Sequence, residues 1–141
     1  MLQTVEKLSD TVTRREDTDL SVVIFEILDS NRSSVDVYID SNLETLRNWD
    51  KTKPLYLIQD ISNKAVALTP YLKERLNEIM AYIKDNQMQV RTALVIPNDF
   101  NGRVAQMFGR LFTANGHYMK QSYFTDIASA RNWIISQQKK A

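Results

Sequence analysis

The sequence contains no cysteine, a single histidine, three glycines and three prolines among 141 residues, and each shortage removes a chemistry. Without cysteine there is no disulfide, no thiolate metal site and no thiol nucleophile. One imidazole excludes a multi-histidine metal site. That residue, His117, follows Gly116 and precedes a strand-like run, which suits a turn better than a catalytic base. The glycines stand at 102, 109 and 116, so neither GxGxxG nor GxxxxGK[ST] occurs and no glycine-rich loop cradles phosphate. Gly109 falls in a helical pattern, where glycine costs about 1 kcal/mol relative to alanine, and close helix–sheet packing explains it.

Long apolar runs are also missing. Nothing approaches the ~20 apolar residues of a bilayer-spanning helix. Met1 to Asp10 is polar and has no apolar core of a secretory leader, so a cytoplasmic protein is expected. Charge of one sign is absent as well. Eighteen Lys and Arg against seventeen Asp and Glu leave +1, which gives no electrostatic footprint for nucleic acid.

What the chain does have is alternation between strand-like runs and amphipathic helical stretches. Thr11 to Glu16 reads as a polar edge strand turning at Asp17-Thr18-Asp19 into the run Leu20 to Leu28, and so short a connection makes the pair antiparallel. Leu55 to Gln59, Arg91 to Ile96 and Tyr118 to Phe124 are further strands. Thr69-Pro70 opens a helix with Leu72, Leu76, Ile79, Met80 and Ile83 as its buried stripe. A helix from Asn101 buries Val104, Met107, Phe108, Leu111 and Phe112 and closes at Asn115-Gly116. Thr125-Asp126 caps a last helix carrying Ile127, Ala130, Trp133 and Ile134.

Ser33 to Asp50 carries two periods. Val35, Val37 and Ile39 alternate as in a strand. Val35, Tyr38, Ile39, Leu43, Leu46 and Trp49 share one helical face over a longer window, so a helix is expected, started by Ser33 with Asp36 or by Ser41 with Glu44. The sum is one α/β domain over residues 1–141. Its single mixed sheet has about five strands, mostly parallel, with an antiparallel amino-terminal edge strand. Leu55-Tyr56-Leu57-Ile58 and Ala93-Leu94-Val95-Ile96 are apolar on both faces. The first hairpin, the Ser33–Asp50 helix or a second copy of the chain must then cover the second face, and a two-fold dimer is the expected solution.

In such a sheet, ligands bind beyond the carboxyl ends of the parallel strands. Those loops gather Asp29, Asn31, Arg32 and Ser33; Asp60, Ser62, Asn63 and Lys64; Asn98, Asp99 and Asn101; and Thr125 and Asp126. Helix capping uses the same residue types. Asp29, Asp60 and Asp99 present one carboxylate per loop, without the paired acid of a receiver domain, so no metal is expected. Arg103 and Arg110, with Gln106 between them, share an exposed helical side, and Arg103 near the helix start suits an anion or an acidic partner.

The junction Asp60-Ile61-Ser62-Asn63…Thr69-Pro70-Tyr71-Leu72, with the closing Phe124…Ala130-Arg131-Asn132-Trp133-Ile134, resembles the STAS-like, or SpoIIAA-like, family that includes the anti-sigma-factor antagonists. The resemblance runs from about Leu20 to Ile135. It implies a (βα) superhelical arrangement and non-enzymatic work in partner switching or ligand sensing, without a cofactor. In the antagonists an Asp-Leu-Ser strand end leads to a Ser-Ser-Gly helix start that carries a phosphorylated serine. Asp60 and Ser62 match the first part and Thr69 falls near the phosphoacceptor, while Pro70 and Tyr71 replace the small residues after it.

The expected function is therefore a regulatory module that meets a protein partner through the Asp60–Tyr71 junction, with Asn98, Asp99 and Arg103 beside it. A small-molecule or lipid sensor with an apolar crevice lined by Tyr71, Phe100 and Tyr123 is the second reading. An enzyme using Asp, Lys or Tyr without histidine or cysteine is the third.

Overall fold

Five of the six residues in Val22-Val23-Ile24-Phe25-Glu26-Ile27 are β-branched or aromatic, and this run lies inside the sheet with apolar contacts on both faces. The computed structural model describes residues 3–97 and 119–140. Its elements, in chain order, are β1 (Gln3–Lys7), β2 (Val12–Asp17), β3 (Val22–Ile27), α1 (Arg32–Asn48), β4 (Leu55–Asp60), α2 (Pro70–Asp85), β5 (Val90–Val95), β6 (Met119–Phe124) and α3 (Ile127–Lys140). The six strands lie side by side in sequence order. β1–β2 and β2–β3 are antiparallel, and β3 through β6 run parallel. The helix expected from Asn101 and its Asn115-Gly116 end lie outside the described residues.

The strand count differs from the expected five. β1 falls in the polar amino-terminal stretch, where Val5 is the only large apolar residue of the strand and is exposed. It is held through backbone pairing from Gln3↔Asp17 to Lys7↔Thr13, which composition does not reveal. β2 is therefore not the edge. It pairs with β1 on one side and β3 on the other.

Of the two periods in Ser33–Asp50, the helical one prevails. Val35, Tyr38, Ile39, Leu43 and Leu46 of α1 are buried, and Trp49 packs against the same core. Neither expected capping box forms. The N-cap is Asn31, and its side chain makes no capping bond; the Asp29 carboxylate accepts from the Asn31 N–H at 3.0 Å instead. Asp36 is drawn away to α2. At the other end, Lys51 Nζ donates to the carbonyls of Leu46 and Arg47 at 3.1 and 3.2 Å, which suits a cation at a helix carboxyl terminus.

α2 begins as its sequence predicts. Thr69 is the N-cap, its Oγ1 accepts from the Leu72 N–H at 3.1 Å, and Pro70 occupies the first helical position. The five expected stripe residues are all buried. The helix ends in a Schellman arrangement, with Met88 N–H to Ile83 O and Gln87 N–H to Lys84 O. Gln87 takes the left-handed conformation there at φ 52°.

α1 and α2 pack on one face of the sheet, over Val23, Phe25, Leu55, Leu57, Val90 and Leu94. α3 lies on the other, where Ala130 and Ile134 meet Val22, Ile24, Tyr56, Ile58, Ala93 and Val95. The second face of β4 and β5 is thus covered by the carboxyl-terminal helix, and not by the first hairpin or by α1. Arg131 pins this helix to the buried Asp17 carboxylate at the end of β2, and Gln138 donates to the Leu20 carbonyl. With that cover inside the chain, the uncovered face that motivated a two-fold dimer is gone.

Candidate functional site: a strand–helix junction and a cleft beside α1

At the carboxyl end of β4, Asp60 closes a tight turn on itself. Its Oδ1 accepts from the Ser62 N–H at 3.0 Å and from the Ser62 hydroxyl at 2.6 Å. Asn63 repeats the device, accepting from the Ala65 N–H at 2.9 Å. Ser30, between β3 and α1, binds this loop from the side: it accepts from the Ala67 N–H at 3.0 Å and its hydroxyl donates to the Ala65 carbonyl at 3.4 Å. The two neighbouring loops are in this way one hydrogen-bonded unit.

Tyr71 is likewise engaged. Its hydroxyl donates to the Asp36 carboxylate, and the Arg32 guanidinium lies 4.2 Å over its ring. Arg75, one turn on, reaches Asp36 at 2.9 Å, Asp40 at 2.6 Å and Glu78 at 2.6 Å. The Tyr71 hydrogen bond, followed by Arg75 and Arg32, holds the Asp36 carboxyl below its ordinary range against the opposing effect of burial. These contacts lock α1 to α2.

Behind the junction, Glu26 faces Asp60 across the β3–β4 pair. Burial, then the Asp60 charge, pushes the Glu26 carboxyl up, and Arg15 partly offsets this. On the opposite face, the buried Tyr38 hydroxyl donates to Gln59 Oε1 at 2.5 Å, Gln59 Nε2 donates to Asn42 Oδ1 at 2.7 Å, and Asn42 Nδ2 returns to the Tyr38 carbonyl at 2.9 Å. This closed polar chain couples α1 to β4, and burial raises the Tyr38 hydroxyl far above the range in which it would ionise.

The sequence-predicted residues thus divide. Asp60, Ser62, Asn63, Thr69 and Tyr71 come together with Asn31, Arg32 and Ser33 at one end of the sheet. Asp126 caps α3, accepting from the Ser129 N–H at 2.7 Å, and Thr125 beside it is exposed. Asn98, Asp99, Phe100, Asn101, Arg103, Gln106, Arg110 and His117 lie outside the described residues. Among the described residues no group of three or more His, Cys, Asp or Glu is placed to hold a metal ion, and no helix is long and apolar enough to cross a membrane.

A second feature was not anticipated from sequence. α1 packs over β3 and reaches β2, where Thr45 and Ser34 bond Arg14 and Thr11, and the space on this face opens toward β1. Between α1 and the β1–β2 hairpin lies a cleft of about 800 Å³. One wall is a single helical stripe of α1, Val37, Asp40, Ser41, Glu44, Thr45 and Asn48, at three- and four-residue steps. The floor comes from the same face of the hairpin, with Glu6, Arg14 and Glu16, and from Val23; Trp49 closes one side. Arg14 bonds Glu16 at 2.8 Å and Thr45 Oγ1 at 3.1 Å, with its guanidinium 5.9 Å from the Phe25 ring centroid. The stripe was present in the sequence, but a solvated helix side has the same pattern.

Comparison of the chain with protein-family models, with curated proteins and with solved structures finds no match.

Proposed function

We propose that this chain is a non-enzymatic binding module of STAS-like type that meets a protein partner through the Asp60–Tyr71 junction. One observation carries the reading. The junction is held rigid by its own hydrogen bonds, yet it presents Asn63, Lys64, Ala65, Ala67 and Pro70 to solvent beside the exposed Arg32 and Lys73. Side chains already committed to turns and caps are poorly placed to move protons or attack a substrate, whereas a pre-ordered exposed surface costs little conformational entropy on association. The element order β-α-β-α-β from β3 onward and the Thr69 cap in the phosphoacceptor's place add support from the resemblance.

A photo-crosslinking residue at Ala65 or Lys73 in cells tests the reading. Both positions are expected to yield the same discrete adduct, and a control at Lys139 on α3 none. No adduct at either junction position, or the same ladder at all three, overturns it. A sensor reading draws support from a different observation, the cleft between α1 and the hairpin, which shares no described residue with the apolar crevice of Tyr71, Phe100 and Tyr123 expected from sequence.

A further inference from the structure

We infer that the cleft beside α1 binds a small amphipathic organic cation, an amine or guanidine carried on an apolar body. The inference rests on the sensor reading and gives its ligand a chemistry. Size comes first. About 800 Å³ lies within the roughly 300–1,000 Å³ of small-molecule pockets. The lining then sets the class. Val23, Val37 and Trp49 supply apolar surface, and five carboxylates face one guanidinium.

Pairing decides which of those charges are available. Glu16 holds Arg14, Asp17 holds Arg131, and Asp40 shares Arg75 with Asp36 and Glu78. Glu6 and Glu44 have no ion pair among the described residues and stand on opposite sides of the cleft, one on β1 and one on α1. Glu6 even stands in register with Arg14, which turns to Glu16 and Thr45 instead. An occupant that brings its own positive charge completes the arrangement. Both carboxylates are exposed, so a cation in the cleft gains their attraction, an anion meets their repulsion and a neutral apolar molecule gains neither.

The test is an amide and indole NMR titration of the whole chain with tryptamine, agmatine and spermidine as cations, indole-3-propionate as the matched anion and an Arg-Lys tetrapeptide. Tryptamine is expected to give saturable shifts at Val23, Thr45 and the Trp49 indole N–H that weaken with salt, while indole-3-propionate gives none. Glu6→Gln with Glu44→Gln is expected to weaken it by about threefold per carboxylate and about tenfold together, with resonances outside the cleft unchanged. Ser41→Trp, which fills the cleft, is expected to abolish binding. If indole-3-propionate binds as well as tryptamine, the cation preference is wrong and the sensor reading survives. No saturable shift with any of the small probes overturns both. Binding by the tetrapeptide alone, or cleft shifts that follow protein concentration without a probe, puts a peptide or a second copy there and overturns the inference.

Discussion

The junction and the cleft are both rich in polar side chains, and they use them in opposite ways. At the junction Asp60, Asn63, Thr69 and Tyr71 each bond a neighbour within the chain. In the cleft Glu6 and Glu44 have no ion-pair partner among the described residues, although Arg14 lies on the same floor. Polar density alone is therefore a poor guide to a ligand site. Capping and turn chemistry gather Ser, Thr, Asn and Asp wherever strands meet helices. An unpaired exposed carboxylate is ordinary, because an exposed ion pair gains little for the fold; what sets Glu6 and Glu44 apart is that both line one cleft.

The largest effect is expected where the two modes meet. Asp17 reaches the cleft at one end, yet its carboxylate is buried and depends on Arg131 of α3. Removing one partner of a buried pair leaves an uncompensated charge, so Arg131→Ala is expected to cost about 3 kcal/mol. Urea unfolding followed by far-ultraviolet dichroism measures it. A loss near zero would show that Asp17 reaches water through the cleft and belongs with its open carboxylates. Asp17→Asn with Arg131→Met is expected to recover most of the loss, since it removes both charges.

Thr69→Ala is expected to cost about 1 kcal/mol, with Thr69→Ser near neutral, as the loss of one N-cap acceptor requires. The same unfolding experiment applies. If Thr69→Ala leaves stability unchanged but removes the crosslinked adduct at Ala65, the hydroxyl belongs to the partner surface and the contrast between the two regions narrows.

How far the sequence anticipates this molecule follows from the range of the forces involved. The α2 stripe and its Thr69-Pro70 start are local, set by helical period and by one cap, and both are as expected. The helix over Ser33–Asp50 emerges because its apolar face is longer than the competing strand pattern. β1 does not, since an edge strand with one large apolar residue is held by backbone bonds to β2. The cover of the second face is not local either. α3 shows its apolar face in the sequence, but which side of the sheet receives it depends on where β6 releases the chain. At the site, residue types located the junction and could not reveal that Tyr71 is clamped by Asp36 and Arg32 from α1. The cleft depends on how α1 sits over the hairpin, which no single stretch of chain encodes.

The smallest effect concerns Glu26, the acid behind the junction. Its carboxyl is raised by burial and by Asp60, so the folded state holds that proton more tightly than the unfolded chain does. The sign follows. Glu26 contributes stability below the ordinary glutamate range, and that contribution is lost as pH rises through its raised folded value. Asp36 acts in the opposite sense. Its lowered carboxyl favours folding above the ordinary aspartate range and loses that contribution as pH falls through its depressed folded value. Glu26→Gln is therefore expected to stabilise the protein at pH 7 by a few tenths of a kcal/mol, reduced by solvent screening, and to leave it unchanged at pH 3. Unfolding midpoints across that range, for this variant and for Tyr71→Phe, separate the two groups. Tyr71→Phe is expected to move the acid limb and Glu26→Gln the neutral one. Should Glu26→Gln destabilise at pH 7, Arg15 outweighs Asp60, and Glu26 is a paired carboxylate like those elsewhere at the junction.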